Sequence, residues 1–324
     1  MMNARIFIKH LISAAIYYSG MFKIIMAVHN LFGRRLTILL YHRLTEKEID
    51  QISDSLSYLF TKKNSFEKQL KLLKKYYHIT NFQSISQRIS KGKRIRNNTL
   101  IITFDDGYED NFTNGYDVLK KFNIPAVIFI CPGKIERNND TVYWWDFIYS
   151  LLNKNDEDPR INNIDVYSRL NNCRTKEIER LVNEIEGKNR LLKSIKQNNK
   201  IMNWTTIRTM KDKIEYGSHT YNHINLVAAD EEERKNEIIN SKNEIENRIG
   251  YKICSFSYPA GIYSNKIKEI VKKAGYEFAV TTKKGINSSS NAHELKRITI
   301  WEGACRNQNG KFSKSIFMLQ LLGF

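Results

Sequence analysis

The sequence has few of the features that mark a specialised class of protein. Its 324 residues include 4 prolines and 15 glycines, too few for a disordered or low-complexity chain. The 4 cysteines lie far apart and form no CxxC pair, which argues against a disulfide framework or a thiolate metal site and suits a reducing compartment. No helix-turn-helix, zinc-finger or RNP pattern occurs, so we expect no nucleic-acid partner.

Acidic residues are scarce compared with basic ones. The chain has 34 Asp and Glu against 52 Lys and Arg, a formal net charge of +18. Such a charge favours anionic partners, for example a phospholipid surface, a phosphorylated lipid carrier or an acidic glycan. A basic, solvated surface without any such partner explains it equally well. Hydrophobic residues make up 41% of the chain, enough for a large globular core.

The first 35 residues lack an uninterrupted apolar run of membrane-spanning length. The uncharged stretch 11–22 is followed by Lys23 before residues 24–28 become apolar again, whereas a spanning helix needs about 20 apolar residues. No A-x-A cleavage site follows, so we expect no cleaved signal peptide. Basic flanks favour an amphipathic helix on an anionic membrane, but a helix packed on the domain fits as well. The expected location is cytoplasmic or membrane-associated.

From residue 36 onward, short apolar runs alternate with helical segments. The apolar runs predict strands at residues 36–40, 98–104, 126–130, 214–216, 254–258, 278–281 and 297–301. Helices are predicted over residues 66–76, 116–122 and 230–250. This alternation predicts an α/β fold, a parallel (β/α) barrel or a distorted relative, with functional residues at the carboxyl ends of the strands. We expect the main domain to span residues 36–310 and a tail to cover 311–324.

An insertion at about residues 134–203 interrupts this alternation. It contains the aromatic residues 143–145, an Asn/Asp-rich stretch over 153–172 and a charged helical segment over 172–199. The insertion is too polar to bury a core of its own. Its aromatic residues could stack on sugar rings, but an apolar plug that seats the insertion on the barrel is the favoured interpretation.

Two motifs place carboxylates and imidazoles at predicted strand ends. Asp105 and Asp106 follow a strand, and because adjacent strand residues face opposite ways, one could bind a cation while the other takes a proton. His219 and His223 are four residues apart, so on a helical turn they would share a face and could bind one metal. One aspartate and the two histidines would form a catalytic metal site with open positions. Taken singly, each motif also fits an ordinary turn or two surface histidines.

A third segment, Ser257-Tyr-Pro-Ala-Gly261, follows another predicted strand. Its turn-forming residues could simply end the strand. They could also hold a backbone N–H toward a developing oxyanion.

In this order, the segments resemble the motifs of the polysaccharide deacetylase family (carbohydrate esterase family 4). Its TFDDG motif corresponds to residues 103–107 and its H-[ST]-x-x-H motif to residues 219–223, and the resemblance covers roughly residues 36–302. It implies a distorted (β/α) barrel of the NodB-homology type. It also implies a hydrolase of linear amide bonds other than peptide bonds. Such an enzyme would remove N-acetyl groups from a bacterial polysaccharide or lipid-linked oligosaccharide during capsule, O-antigen or exopolysaccharide assembly.

The resemblance also implies a role for each matching residue. Asp105 would be the general base, while Asp106, His219 and His223 would bind a divalent metal, zinc above all, with cobalt, nickel or manganese as alternatives. A water bound to that metal would be the nucleophile. The backbone N–H of Ala260 would stabilise the oxyanion.

The general acid is harder to place, because Arg297 stands where the family's C-terminal Leu-x-His motif would have its histidine. Leu40-Tyr41-His42 ends the first predicted strand, and some family members are similar in carrying the motif at the N-terminal end. His42 is therefore the predicted general acid, with His293 a weaker candidate. A buried, hydrogen-bonded structural histidine is the alternative interpretation of His42.

The sequence departs from the family's third motif at Ser257, where an arginine normally positions the general base, and at Ala260, where a tyrosine is usual. We hypothesise that Arg297 or Arg43 replaces the missing guanidinium near Asp105. Two other functions stay open, an O-deacetylase acting on a cell-surface glycan and a catalytically silent glycan-binding homologue.

Overall fold

A computed structural model describes residues 4–31, 35–52, 55–135, 142–154, 192–287 and 291–323, with isolated positions between 170 and 182. Most of the Asn/Asp-rich stretch predicted over 153–172 and about half of the charged segment predicted over 172–199, including 183–191, lie outside the described residues.

The described strands, in chain order, are β1 (Leu36–Tyr41), β2 (Arg43–Thr45), β3 (Phe60–Lys62), β4 (His78–Thr80), β5 (Thr99–Phe104), β6 (Ala126–Ile130), β7 (Ile214–Ser218), β8 (Ser255–Ser257), β9 (Phe278–Lys284) and β10 (Leu295–Thr299). The main sheet runs in the order β1-β10-β9-β8-β7-β6-β5, and β1 also pairs with β5. This last pairing closes seven parallel strands into a barrel. The outer strand β4 joins β5, and β2 pairs separately with β3. The predicted (β/α) barrel is confirmed.

Alternation along the strands divides the core into two apolar clusters. Ile38, Ile101 and Val127 belong to one cluster, while their neighbours Leu39 and Ile102 belong to the other. Because successive strand residues face opposite sides, the first cluster fills the barrel and the second packs under the helices. Strands β1, β5 and β6 are buried at every position, which explains why their sequences are predominantly apolar.

The described helices are α1 (Ala4–Tyr18), α2 (Met21–Leu31), α3 (Lys63–Tyr76), α4 (Phe82–Ser90), α5 (Asp117–Phe122), α6 (Pro132–Ile135), α7 (Trp144–Lys154), α8 (Leu192–Asn198), α9 (Trp204–Thr209), α10 (Glu231–Ile249), α11 (Asn265–Lys273) and α12 (Lys314–Gln320). Helix α10 begins as predicted, because the Asp230 side chain accepts a hydrogen bond from the N–H of Glu233 at 2.9 Å. It ends at Gly250, whose φ of 81° suits a glycine cap. A π-helical segment, Asn111–Tyr116, precedes α5.

The N-terminal helices α1 and α2 form a bent pair at the edge of the barrel domain. Within the described residues, no single helix is long and apolar enough to cross a membrane. The pair His10–Tyr18 and Met21–Val28 meets that criterion by length and composition when taken together, with a bend of 78° between the two helices.

Candidate active site

The two adjacent carboxylates follow β5 at the carboxyl edge of the barrel. Asp105 still belongs to the strand pairing, since its N–H donates to the carbonyl of Tyr41 at 3.0 Å. Asp106 has a φ of 74°, so the strand geometry ends there. The Nε2 atom of His219 lies 3.8 Å from Asp105 Oδ2 and 3.5 Å from Asp106 Oδ1. The expectation that strand alternation separates the two carboxylates is therefore wrong, and both face the same imidazole.

His219 and His223 come together in a loop after β7, so the prediction that they share a helical face is wrong. Thr220 and His223 have positive φ angles of 65° and 59°, which turn the chain back on itself. His219 Nδ1 lies 2.8 Å from the carbonyl oxygen of Ser257, which leaves Nε2 to face Asp106. His223 Nε2 lies 3.4 Å from Asp106 Oδ1.

Glu237 of α10 holds this histidine loop from behind. Its carboxylate accepts hydrogen bonds from the backbone N–H and the side-chain amide of Asn222, both at 2.7 Å. Glu237 is buried. No role for Glu237 was predicted from the sequence, although an acidic residue next to the buried Ile238 is a signal that could have found it.

Asp106, His219 and His223 form a set that fits a divalent metal. One ligand atom of each residue lies within 4.8 Å of the others. Two imidazole nitrogens and one carboxylate oxygen suit zinc and related first-row ions. Burial lowers the pKa of His223 to about 3, assisted by the charge of His219, so its imidazole is neutral and able to coordinate a metal.

The electrostatics of the same set favour a positive charge between the carboxylates. Burial lowers the pKa of His219, but Asp105 and Asp106 more than offset this and raise it above its ordinary value. Burial raises the pKa of Asp106, yet its hydrogen bond to His219 and the charge of His223 bring it below its ordinary value. The two carboxylates that favour a proton on His219 would attract a metal cation in the same way.

Asp105 is held by the guanidinium of Arg297. The Nη1 and Nη2 atoms of Arg297 donate to Oδ1 and Oδ2 of Asp105, each at 2.7 Å. The hydroxyl of Ser257 donates to Asp105 Oδ2 at 3.1 Å and accepts from Arg297 Nη2 at 3.0 Å. Burial raises the pKa of Asp105, but the charges of Arg297 and His219 hold it well below its ordinary value. Asp105 is therefore a carboxylate that can accept a proton.

The predicted position of Arg297, with its guanidinium beside Asp105, is confirmed. The alternative prediction for Arg43 is wrong. Arg43 Nε donates to Asp110 Oδ2 at 2.8 Å, and its guanidinium lies 4.2 Å from the ring centroid of Tyr108. As the strand residue next to His42, it points to the other side of the chain.

His42 lies directly after β1, at the same edge of the barrel as the carboxylates. Burial lowers its pKa, while Asp106 and Asp105 act in the opposite direction. The side-chain amide of Asn111 fixes its backbone by donating to the carbonyl oxygen at 2.8 Å. His293 is not part of this site. Its Nε2 lies 2.8 Å from the carbonyl oxygen of Tyr276. Tyr276 precedes β9 and His293 precedes β10, so both residues lie at the amino ends of these strands, at the other end of the barrel from the site.

Ala260 lies in a short turn after β8 and lines a small cavity together with His223 and Trp144. Its φ of 53° is left-handed. The next residue must be glycine, because a Cβ at Gly261 would lie 2.7 Å from the backbone nitrogen of Thr282. The turn is thus tightly fixed beside the metal set.

The aromatic residues of the insertion pack behind the metal set. The Tyr143 hydroxyl donates to the backbone carbonyl of Asp106 at 2.7 Å, and the Trp145 ring meets the His223 ring edge-on at a centroid distance of 4.6 Å. Trp144 and Trp145 are each only 5% exposed. The sequence-based interpretation as an apolar plug fits these positions, whereas an open stacking platform does not.

Trp145 is itself anchored by a buried polar chain. Its indole N–H donates to the Tyr108 hydroxyl at 3.0 Å, and that hydroxyl donates to Asp146 at 2.6 Å. Asp146 also accepts a hydrogen bond from Ser55. No role for Tyr108 or Asp146 was predicted, because nothing in the linear sequence links them to the histidines.

Comparison with known proteins decides the family. The polysaccharide deacetylase family model matches residues 92–279. The chain belongs to the polysaccharide deacetylase family. As a member it is a hydrolase that acts on amide bonds, as the sequence analysis predicted.

The individual relatives have low sequence identity to this chain. The chain is 23% identical over 292 residues to YxkH of Bacillus subtilis (strain 168), covering 87% of this chain and 77% of that protein. It is 24% identical over 275 residues to the poly-beta-1,6-N-acetyl-D-glucosamine N-deacetylase of Staphylococcus aureus (strain N315), covering 82% of this chain and 73% of the relative. The solved structure of the Streptococcus pyogenes deacetylase PplD in complex with acetate shares the fold, with a TM-score of 0.60, 17% identity and coverage of 86% of this chain and 96% of that one.

Proposed function

We propose that the protein is a divalent-metal-dependent N-deacetylase that removes acetyl groups from amino sugars of a polysaccharide or lipid-linked oligosaccharide in capsule, O-antigen or exopolysaccharide assembly. The observation that carries this proposal is the position of the buried Asp105 carboxylate, 3.8 Å from His219. His219 belongs in turn to the set of Asp106, His219 and His223 that fits a metal. The name of the Staphylococcus aureus relative makes a polymer of N-acetylglucosamine the first substrate to test.

In the proposed reaction, Asp106, His219 and His223 hold the metal, with zinc favoured. A divalent cation at this position supplies Lewis acidity. Asp105 takes the proton of the attacking water, and Arg297 keeps its carboxylate ionised and correctly oriented. The backbone N–H of Ala260 donates to the acetyl oxygen as negative charge develops on it.

His42 is the proposed donor of the proton that the leaving amine needs. The carbon–nitrogen bond breaks, acetate takes the oxygen of the water, and the sugar amine takes the proton from the imidazole. The lowered pKa of His42 makes its protonated form a stronger acid, but reduces the fraction that is protonated at neutral pH.

The two alternative functions are less well supported. A silent binding homologue would have little need to keep Arg297 paired with Asp105 beside a complete ligand set. An O-deacetylase would use the same site but could act without a general acid. An ester expels an alkoxide, which leaves more easily than the amide anion that an unprotonated amine would form. Parallel assays on N-acetylated and O-acetylated glycans distinguish an N-deacetylase from an O-deacetylase.

The proposal is tested by purifying the whole chain, measuring its metal content and following acetate release from N-acetylglucosamine oligomers and poly-β-1,6-N-acetylglucosamine. Asp105→Asn should retain metal but lose at least about 100-fold in turnover. His223→Ala should lose both metal and turnover, and a chelator should reproduce its effect on the wild type.

The matched control is His293→Ala, which removes an imidazole at the other end of the barrel and should change neither metal content nor turnover. Failure of the wild type to bind any divalent metal would refute the proposal. Metal binding combined with release of acetate only from O-acetylated glycans would favour the O-deacetylase.

A further inference from the structure

The N-terminal helices carry an apolar stripe on the side that faces away from the barrel. Its members are exposed large hydrophobic residues, namely Ile8, Leu11, Ile12 and Tyr18 on α1 and Met21, Ile24 and Val28 on α2, with exposed fractions between 40% and 74%. We call these seven residues the outer stripe. The remaining exposed large hydrophobic residues of the described chain are Tyr58, Ile89, Val227 and Ile239, which are scattered.

The outer stripe follows helical periodicity. On α1 its positions are separated by three, one and six residues, and on α2 by three and four, so each set lies along one face of its helix. A surface helix of a globular domain normally places polar residues on its outward face. Among the side chains that the structure describes, those exposed on α1 are apolar, and those exposed on α2 are apolar except Lys23.

The inner faces of the two helices are already in use. The Ser13 hydroxyl of α1 is buried and lies 3.2 Å from that of Ser315 on α12. On α2 the Phe22 ring is 2% exposed and packs edge-on against Tyr76 at a centroid distance of 5.5 Å. The outer stripe is therefore not a face left over from incomplete docking of the helices on the barrel.

The charged residues within α1 and α2 all have one sign. The first acidic residue of the chain is Glu46, and the 31 residues that contain α1 and α2 include Arg5, Lys9 and Lys23. Lys23 is exposed between the stripe residues Met21 and Ile24. Apolar side chains flanked by basic residues match the two layers of an anionic lipid surface, an acyl region beneath phosphate groups.

We propose that the outer stripe docks the protein on an anionic lipid bilayer, with α1 and α2 lying along the surface. The apolar side chains enter the acyl boundary and the basic residues meet the lipid phosphates. The 78° bend between the helices and their contacts with α3 and α12 favour this arrangement over a crossing helix, which would have to leave the barrel. The proposal goes beyond the deacetylase function because it needs neither metal nor glycan.

The test is flotation of the full chain with phosphatidylcholine vesicles that contain or lack about one third phosphatidylglycerol. The stripe variant Leu11→Asn/Ile12→Asn/Ile24→Asn is compared with the control variant Ile89→Asn/Val227→Asn/Ile239→Asn, which removes the same number of exposed apolar side chains elsewhere. We expect the wild type and the control to float with anionic vesicles and the stripe variant to bind them at least about tenfold more weakly.

A charge variant tests the other half of the proposal. Lys23→Glu should weaken binding to anionic vesicles, and added salt should do the same in the wild type. Absence of wild-type flotation, or equal flotation of stripe and control variants, would overturn the proposal. A wild-type dimer in light scattering that the stripe variant loses, without any lipid binding, would overturn it in favour of self-association.

Acetate release from a soluble oligomer separates this proposal from the proposed function. All the variants should release acetate at the wild-type rate if they are folded and the enzyme proposal holds. Circular dichroism establishes folding independently, so vesicle binding remains interpretable even if the protein releases no acetate.

Discussion

Arg297 of β10 pairs with Asp105, which follows β5 on the far side of β1, and its Nε donates to the carbonyl of Thr281 on the neighbouring strand β9 at 2.8 Å. Its two terminal nitrogens then hold both carboxylate oxygens of Asp105. Such a bidentate pair is the strongest geometry available to an arginine and a carboxylate. Ser257, at the position where the family motif has arginine, leaves room for this guanidinium and bonds to it.

Replacing Arg297 with lysine should reduce turnover by about 100-fold while metal stays bound, because an ammonium cannot form the bidentate pair. The weaker pair should also raise the pKa of Asp105, so the acid limb of the pH–rate profile should move to higher pH. Turnover and metal content measured between pH 4 and pH 9 check both effects.

Arg43→Lys is the matched control, since Arg43 is equally buried but pairs with Asp110. It should lower thermal stability with little change in the acid limb. Equal kinetic effects in both variants would show that loss of stability, and not the position of Asp105, explains the result.

Replacing His42 with asparagine should affect substrates according to their leaving groups. Deacetylation of an amino sugar should slow by about 100-fold or more, because the amine must be protonated as it leaves. An activated acetyl ester with a phenolate leaving group should lose far less. His293→Asn serves as the control, and similar losses on both substrates would contradict the role of His42 as general acid.

Replacing Trp145 with leucine should weaken metal binding by about tenfold, because the ring packs against His223, a proposed metal ligand. Competition with a calibrated chelator measures this affinity. Trp204→Leu is the control: Trp204 is also buried, but it lies on α9 and its indole N–H has no partner within the described part of the chain. An unchanged metal affinity in Trp145→Leu would show that the insertion does not position His223.

Glu215 inside the barrel should make stability fall as pH rises. Burial raises its pKa to about 7 from an ordinary value of 4.5. The stabilising effect of the neutral carboxyl is complete below pH 4.5, where the unfolded chain is also protonated, and is lost progressively as pH rises to about 7. Glu215→Gln should remove up to about 3 kcal/mol of this pH dependence.

Urea unfolding at pH 5 and pH 8 measures the effect of Glu215→Gln. The N–H of Gln83 donates to Glu215 at 2.9 Å, and a glutamine oxygen can accept the same bond. Glu269→Gln, at an exposed position of α11, is the control. A pH dependence that survives unchanged in Glu215→Gln would contradict the prediction.

The barrel and its site edge could be predicted because they depend on local signals. β6 is apolar throughout and β1 is apolar except for Thr37, and the residues with chemistry follow strands whose carboxyl ends must meet in a parallel sheet. The four residues Asp105, Asp106, His219 and His223 therefore lie together as predicted.

The local geometry of the site could not be predicted in the same way. The positive φ angles of Asp106 and His223 replace the strand and helix periodicities from which their directions were inferred. Choosing between Arg297 and Arg43 required knowing that one side chain points into the barrel and the other outward. The contact of Trp145 with His223 joins residues 78 positions apart, and its aromatic sequence fits many kinds of packing.

The Ser257–Arg297 arrangement also gives a rule for comparing members of this family. The guanidinium beside Asp105 comes from position 297 in this chain, whereas the family motif has its arginine at position 257, 40 residues earlier, and both positions contact the same carboxylate. Alignment columns read one at a time would score a homologue with serine at the first position as defective. Read as a pair, the two columns should covary, and homologues with neither arginine are expected to lack activity.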